Sequence, residues 1–236
     1  GNIIDIFTLD STGHIQIHKD DYLDRPKIYK TIRDRDQVEV ALTNDPEVKG
    51  FASRVFSPAL AYSGDKTAPS RLIGIDPDLE PTVSRLLQKV SKGTYFSSLR
   101  NAEGYYEAMI GRGLHITLKL DIGDEIVLIS SGGDGSIAND IFVVSAIIGN
   151  KTSFDRMAVY LPLAAAQEFL SLGNDVHQYV LLVNSKDDNE LVASGLSAHL
   201  PELTVSPWQK VEATFYRTMQ ADKQGNYFTM GLITFI

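Results

Sequence analysis

The sequence predicts an α+β fold: a split β-α-β layer with an inserted, strand-rich subdomain. Two observations predict the layer. A strand–helix–strand pattern runs from about Gly13 to Tyr62, and a second runs from about Gln178 to Val205. The third observation is the stretch between them, where short apolar runs alternate with Gly-rich turns, as in a unit built mainly of strands. The composition suits a folded protein of this size. Of 236 residues, 43% are hydrophobic and 22% charged, enough apolar surface for a substantial core. A formal net charge of -8 argues against nucleic acid or an anionic membrane surface as the main partner, since both reward clustered Lys and Arg. The absence of cysteine excludes a disulfide framework, cysteine-ligated zinc and thiol catalysis.

The elements follow in order. Gly13-His14-Ile15-Gln16-Ile17-His18 alternates polar and apolar residues, the period of a half-buried strand with Ile15 and Ile17 inward and the histidines facing solvent. Val38, Ala41 and Leu42 predict a short helix that Pro46 closes. Val48 to Tyr62 reads as a long strand, turned by Ser63-Gly64-Asp65 and answered by Arg71 to Ile75. Asp78 to Val90 predicts a helix with Pro81 in its first turn and Val83, Leu86, Leu87 and Val90 on one face. A helix carrying Leu114, Leu118 and Leu120 is expected next, then strands over Ile126–Ile129 and Ile141–Ile148, joined by an exposed loop at Ser131–Ser136. Met157–Leu161 is a strand, and Pro162 opens a helix with Leu163, Ala166, Phe169 and Leu170. Gln178–Val183, Asp187–Leu200 and Leu203–Val205 give strand, helix and strand, and Trp208 to Met219 reads as helical. No signal peptide and no run of about 20 apolar residues is visible.

Both ends carry short apolar runs, Ile3 to Leu9 and Met230 to Ile236. They read either as stumps of membrane helices (1–9 and 221–236) or as terminal elements docked into the core.

Chemistry is sparse. Of the five histidines, only His14 and His18 are usefully spaced. On a strand they lie on one face but roughly 13 Å apart, too far to share a metal. Asp10, Asp20, Asp21 and Asp24 supply nearby carboxylates for a metal-dependent hydrolase reading; otherwise these are polar positions of a half-buried strand. Gly111-Arg112-Gly113 lacks the third glycine of a dinucleotide loop, so its glycines are read as allowing close approach before a helix. No Gly-x-Ser-x-Gly elbow occurs. No catalytic, metal or cofactor residue is therefore assigned. Phe96, Tyr105, Tyr106, Phe215 and Tyr216, with Tyr227 and Phe228, would either line a groove for a lipid-like cargo or partner, or pack in the core.

A family resemblance runs through the middle of the chain. Ile110-Gly111-Arg112-Gly113-Leu114, Leu118, Leu120, Gly123-Asp124-Glu125-Ile126 and Leu128 resemble a stretch of MacB-like periplasmic core domains. Phe142 to Ile147 resembles the strand that follows, with Ser145 where the family often has glycine. Phe154-Asp155 with Val159-Tyr160-Leu161-Pro162-Leu163-Ala164-Ala165-Ala166-Gln167 is similar to the next segment, and Thr12 to Ile17 to the opening one. The resemblance implies the extracytoplasmic domain of an FtsX-type or lipoprotein-releasing-type ABC transporter permease in a bacterial cytoplasmic (inner) membrane. It implies a porter-like subdomain at 10–93 and 176–220, a sabre-like inserted subdomain at 94–175, and flanking membrane helices. It further implies a permease dimer, a cytoplasmic ATPase subunit or fused ATPase, a periplasmic or outer-membrane partner, and a lipoprotein, lipid or hydrophobic or peptide cargo. The domain itself would transmit motion and catalyse nothing. A free-standing periplasmic protein binding a lipid-like ligand is the alternative.

Overall fold

The computed structural model describes residues 8–214 and 217. A single π-helical turn, Thr8–Thr12, leads into strand β1, Ile15–Lys19. Helix α1, Arg35–Asn44, starts where the Asp34 carboxylate accepts the Gln37 backbone N–H at 3.2 Å. Strands β2, Val48–Ser63, and β3, Lys66–Ile75, form one long antiparallel hairpin. Then come β4 (Val90–Gly93), β5 (Glu107–Gly111), helix α2 (Arg112–Leu118), β6 (Glu125–Ser131), β7 (Ile137–Ile148), β8 (Ala158–Pro162) and helix α3 (Leu163–Phe169). The last third supplies β9 (Gln178–Val183), helix α4 (Asn189–His199) and β10 (Leu203–Pro207), after which residues 208–214 are helical.

All ten strands of the described residues join one sheet in the order β10-β1-β9-β2-β3-β8-β5-β7-β4, with β6 bridging β7 and β2. Its first four strands are the expected split layer. β1 lies between β9 and β10, and β9 lies between β1 and β2, so each strand–helix–strand unit is opened by a strand of the other. Helices α1 and α4 cover one face. Val38, Leu42, Val192 and Leu196 pack there in one cluster with Ile15, Ile17, Leu181 and Val183.

Beyond the layer the sheet closes on itself. From β2 the pairings pass through β3, β8, β5, β7 and β6 and return to β2, a six-stranded barrel of mixed direction. Alternate residues fill its interior, among them Leu72, Ile110, Leu128, Phe142 and Leu161. Gly74 lets α3 seat on the wall, since a Cβ there would lie 2.5 Å from the Ala166 Cβ. Gly113 allows the Arg156 carbonyl to reach the Leu114 N–H at 3.1 Å, the close approach its sequence predicts. A second apolar cluster, including Ile75, Met109, Ile148 and Tyr160, lies outside the wall under Leu86 and Phe96.

Strand β2 belongs to both parts. Its edge pairs with β9 as far as Arg54 and with β6 from Leu60 onwards. In the gap, the Phe56 N–H donates to His177 Nδ1, and the next outward position is Pro58, which has no N–H to strand. The Pro58 carbonyl accepts the Ser130 hydroxyl at 2.7 Å.

Three expectations are corrected. Asp78–Val90 is not a helix but two 3₁₀ turns, Glu80–Thr82 and Leu86–Lys89, followed by β4 at Val90. Ser84 breaks the run: its hydroxyl donates to Glu80 and accepts the Leu86 N–H, competing with helical backbone bonds. The helix at Leu114 ends before Leu120, because Lys119 takes a left-handed conformation. His18 does not face solvent; β1 is buried on both faces and His18 is 1% exposed. Strands β4 and β5 carry no signal read from the sequence. The terminal runs, Ile3–Phe7 and Met230–Ile236, lie outside the described residues. Among those described, no helix is long and apolar enough to cross a membrane.

Candidate functional site

The layer face turned away from α1 and α4 carries polar residues that water does not reach. Cross-strand register places Ser206, Gln16, Val180 and Ala52 in one row and Thr204, His18, Gln178 and Arg54 in the next. Gln16, His18, Gln178, Arg54 and Ser206 are all buried. They are covered by the lead-in turn, by Tyr22 and by the 80–84 turn, and in the helix 208–214 Val211 and Thr214 are buried as well, Thr214 bonding Asp24.

Hydrogen bonds from this face, from the β1 backbone and from the start of α4 hold the segments through which the chain enters and leaves the fold. Gln16 Nε2 donates to the Thr12 carbonyl at 2.9 Å. The Trp208 N–H donates to the His14 carbonyl at 2.9 Å, and Asn189 bonds Gln209 at 2.8 Å. Ile15 pairs with Pro207, so both segments leave the layer side by side.

Three rings stack beneath them. Tyr22 lies 5.5 Å from His18 and 5.1 Å from His177, each pair within 20° of parallel. His18 Nε2 meets the Gln178 amide oxygen at 2.9 Å, and burial lowers its pKa from 6.5 to about 4. His177 Nδ1 accepts the Phe56 N–H while Nε2 donates to the Ile28 carbonyl, a pattern only the neutral ring satisfies. Burial lowers its pKa too. Both rings are therefore neutral near pH 7 and act as structural bridges.

Arg54 anchors the far end of the row. Its guanidinium donates to both Glu80 carboxylate oxygens, at 3.1 and 2.6 Å, and through Nη1 to the Ser11 carbonyl at 2.6 Å. Ser84 completes the Glu80 site at 2.7 Å. Arg54 is also the last residue of β2 paired to β9 and the first paired to β3, opposite Ile75. Reading the sequence missed this pair, which lies 26 residues apart with no local signature. A usable signal was present in Tyr179 to Val183, a continuous apolar strand that implies cover on both faces, and therefore burial of its neighbours' polar residues.

The structure separates the residues singled out by sequence. His14 Nδ1 accepts the Val183 N–H while His18 faces Gln178, so the two rings do not converge. Asp21 pairs with Lys30 at 2.6 Å and Asp24 accepts from Thr214, and no cluster of three metal-ligating side chains occurs among the described residues. Phe96 is buried outside the barrel wall, whereas Tyr106 packs on the main core with the Arg100 guanidinium 4.1 Å above its ring. Arg100 in turn forks onto Glu168 at 3.0 and 3.2 Å. Tyr105 is half-buried beside Tyr106. Phe215, Tyr216, Tyr227 and Phe228 lie outside the described residues.

The model of the MacB-like periplasmic core domain family matches residues 2–199. Over 194 residues the chain is 29% identical to the lipoprotein-releasing system transmembrane protein LolC of Xylella fastidiosa, covering 79% of this chain and 45% of that protein. It is 26% identical over 213 residues to the corresponding LolE of Haemophilus influenzae, covering 86% and 50%. The chain thus spans about half the length of the curated relatives it matches. The periplasmic region of MacB from Actinobacillus actinomycetemcomitans superposes with a TM-score of 0.60 at 11% identity, over 90% of this chain and 95% of that one. The extracellular domain of the transporter YknZ, from Gram-positive bacteria, gives 0.57 at 16%, over 81% and 98%. These two structures share the α+β fold, and by the extent of the family match the chain belongs to the MacB-like periplasmic core domains.

Proposed function

We propose that this chain is the extracytoplasmic domain of an ABC transporter permease in a bacterial inner membrane, and that it passes ATPase-driven motion outward to release a lipoprotein, lipid or other hydrophobic cargo. The observation that carries the reading is the antiparallel pairing of β1 with β10. It sets the two ends of the fold beside one another, as a domain inserted between two membrane helices requires. The names of the LolC and LolE relatives support lipoprotein release as the cargo class. The ATPase acts from the cytoplasm, as a separate subunit or a fused domain, on a permease dimer.

On this reading residues 10–93 and 176–220 form the porter-like unit and 94–175 the sabre-like unit, with the β2–β3 hairpin shared between them. Tyr105 and Tyr106 on the barrel side, with Phe215 and Tyr216, are the cargo or partner contacts to test first; Phe96 holds the barrel's outer cluster. A free-standing lipid-binding protein finds less support. Two clefts, about 310 Å³ at Leu42, Val48, Phe51 and Leu79 and about 590 Å³ at Ala193, Ser197, Val205 and Pro207, are open grooves rather than the enclosed apolar pocket such a ligand needs.

The test is reconstitution of the full-length protein with its ATPase in liposomes containing a triacylated lipoprotein. ATP-dependent transfer of the lipoprotein to a soluble acceptor is expected. ATP hydrolysis with no movement of lipoprotein, phospholipid or apolar peptide would overturn the reading.

A further inference from the structure

We infer that Arg54 is the coupling residue through which displacement of the lead-in segment reaches the barrel. The inference rests on the permease reading and adds the route that motion takes inside the domain. Four parts of the fold meet at this residue. Its backbone closes the β2–β9 ladder and opens the β2–β3 ladder, and its carbonyl accepts the His177 N–H at 3.0 Å. Its side chain grips Glu80 in the turn that follows β3 and the Ser11 carbonyl in the turn that precedes β1.

The choice of residue type fits the task. A buried ion pair contributes little net stability compared with apolar packing, so its presence at 7% and 3% side-chain exposure calls for another role. Only a guanidinium can fork onto a carboxylate and still present a further N–H to a backbone carbonyl. The lead-in turn is tied to the buried face by hydrogen bonds to its carbonyls, from Gln16 to Thr12 and from Arg54 to Ser11. Such bonds transmit a pull along one direction. They also re-form after a small shift more readily than interlocked side chains do. From Arg54, β2 continues for nine residues to Ser63 at the hairpin end, roughly 30 Å of paired strand. A displacement at Ser11 is thus delivered to a stiff lever.

The experiment uses the full-length protein with spin labels at Asp10 and Asp65, and two variants. Arg54→Met with Glu80→Met replaces the pair by apolar groups of similar length and keeps the interior filled. Arg54→Lys keeps the charge but cannot hold both partners. The wild type should give one narrow Asp10–Asp65 distance distribution by pulsed electron resonance, and both variants a broadened one. Cargo released per ATP hydrolysed should fall roughly tenfold in both. Distributions as narrow as wild type in both variants would overturn the assignment, whatever the cargo result. A broadened distribution in a protein that releases no cargo would leave Arg54 as the link and remove the permease reading instead.

Discussion

The two faces of the four-stranded layer are made from the same strands by opposite means. Beneath α1 and α4, Ile15, Ile17, Leu181 and Val183 interlock with helix side chains, and shape holds the parts together. On the reverse, Gln16 and Arg54 hold the lead-in turn through directional bonds to the Thr12 and Ser11 carbonyls, while His18 and Gln178 bond each other across the strands. The first face fixes two helices permanently. The second holds the lead-in turn to the sheet. A face that is dry yet polar is costly to build, since each group must find a partner. Among the described residues nearly all do; His18 Nδ1 and Ser206 Oγ are the exceptions on this face.

The contrast can be broken in four ways. The largest effect is expected from Glu80→Ala, which leaves the Arg54 charge buried without its carboxylate; urea unfolding should show a loss of about 3–5 kcal/mol. A loss below about 1 kcal/mol would mean the reverse face is wetter than its geometry indicates. On the helix-covered face, Leu181→Ala should cost about 3 kcal/mol by the same measurement, from lost burial and a residual cavity.

Acid should act on the reverse face. The His18 pKa is about 4 in the folded protein and near 6.5 unfolded, so the unfolded chain binds more protons between those values. Stability present at pH 7 is therefore lost as pH falls, by about 2 kcal/mol at pH 5, with His177 adding in the same direction. A His18→Gln variant whose urea midpoint falls just as steeply with acid would assign that loss elsewhere. The smallest change is expected at the rim of the helix side. Glu39→Gln weakens a partly exposed pair with Arg35 at 3.1 Å and should shift stability by less than about 1 kcal/mol.

The strands and helices that bury one face against one neighbour were legible. Pro46 closed α1, the alternation of β1 and the turn at Ser63-Gly64-Asp65 marked their elements, and the apolar run of β7 stood out. What failed was the assumption that a polar residue opposite an apolar one faces water. That placed His18 outside, because Gln178 and His177 approach it from 160 residues away. The helix expected at Asp78–Val90 failed for a related reason. Its apolar spacing is real, but Glu80 is claimed by Arg54 and Val83 by a small cluster with Ala52, Val180 and Leu182, and no single helix face satisfies both. β4 and β5 were missed because each is short and draws its pairing wholly from β7 and β8. The family was legible from the Ile110–Leu128 and Val159–Gln167 segments, which form the barrel wall and the helices seated on it.

The position of β1 between β9 and β10 also sets an order of events during biosynthesis. Of the described strands, β1 is the first to be made, and both of its neighbours are the last. Until some 160 further residues have followed it, both edges of Ile15–Lys19 are without a strand. The barrel strands from β2 to β8 are all available earlier and can close among themselves. The layer is thus completed only by the late arrival of Gln178–Pro207, a long-range closure that makes folding slow and leaves β1 open to mispairing meanwhile. The last piece to lock into place is the one that brings the two ends of the fold together.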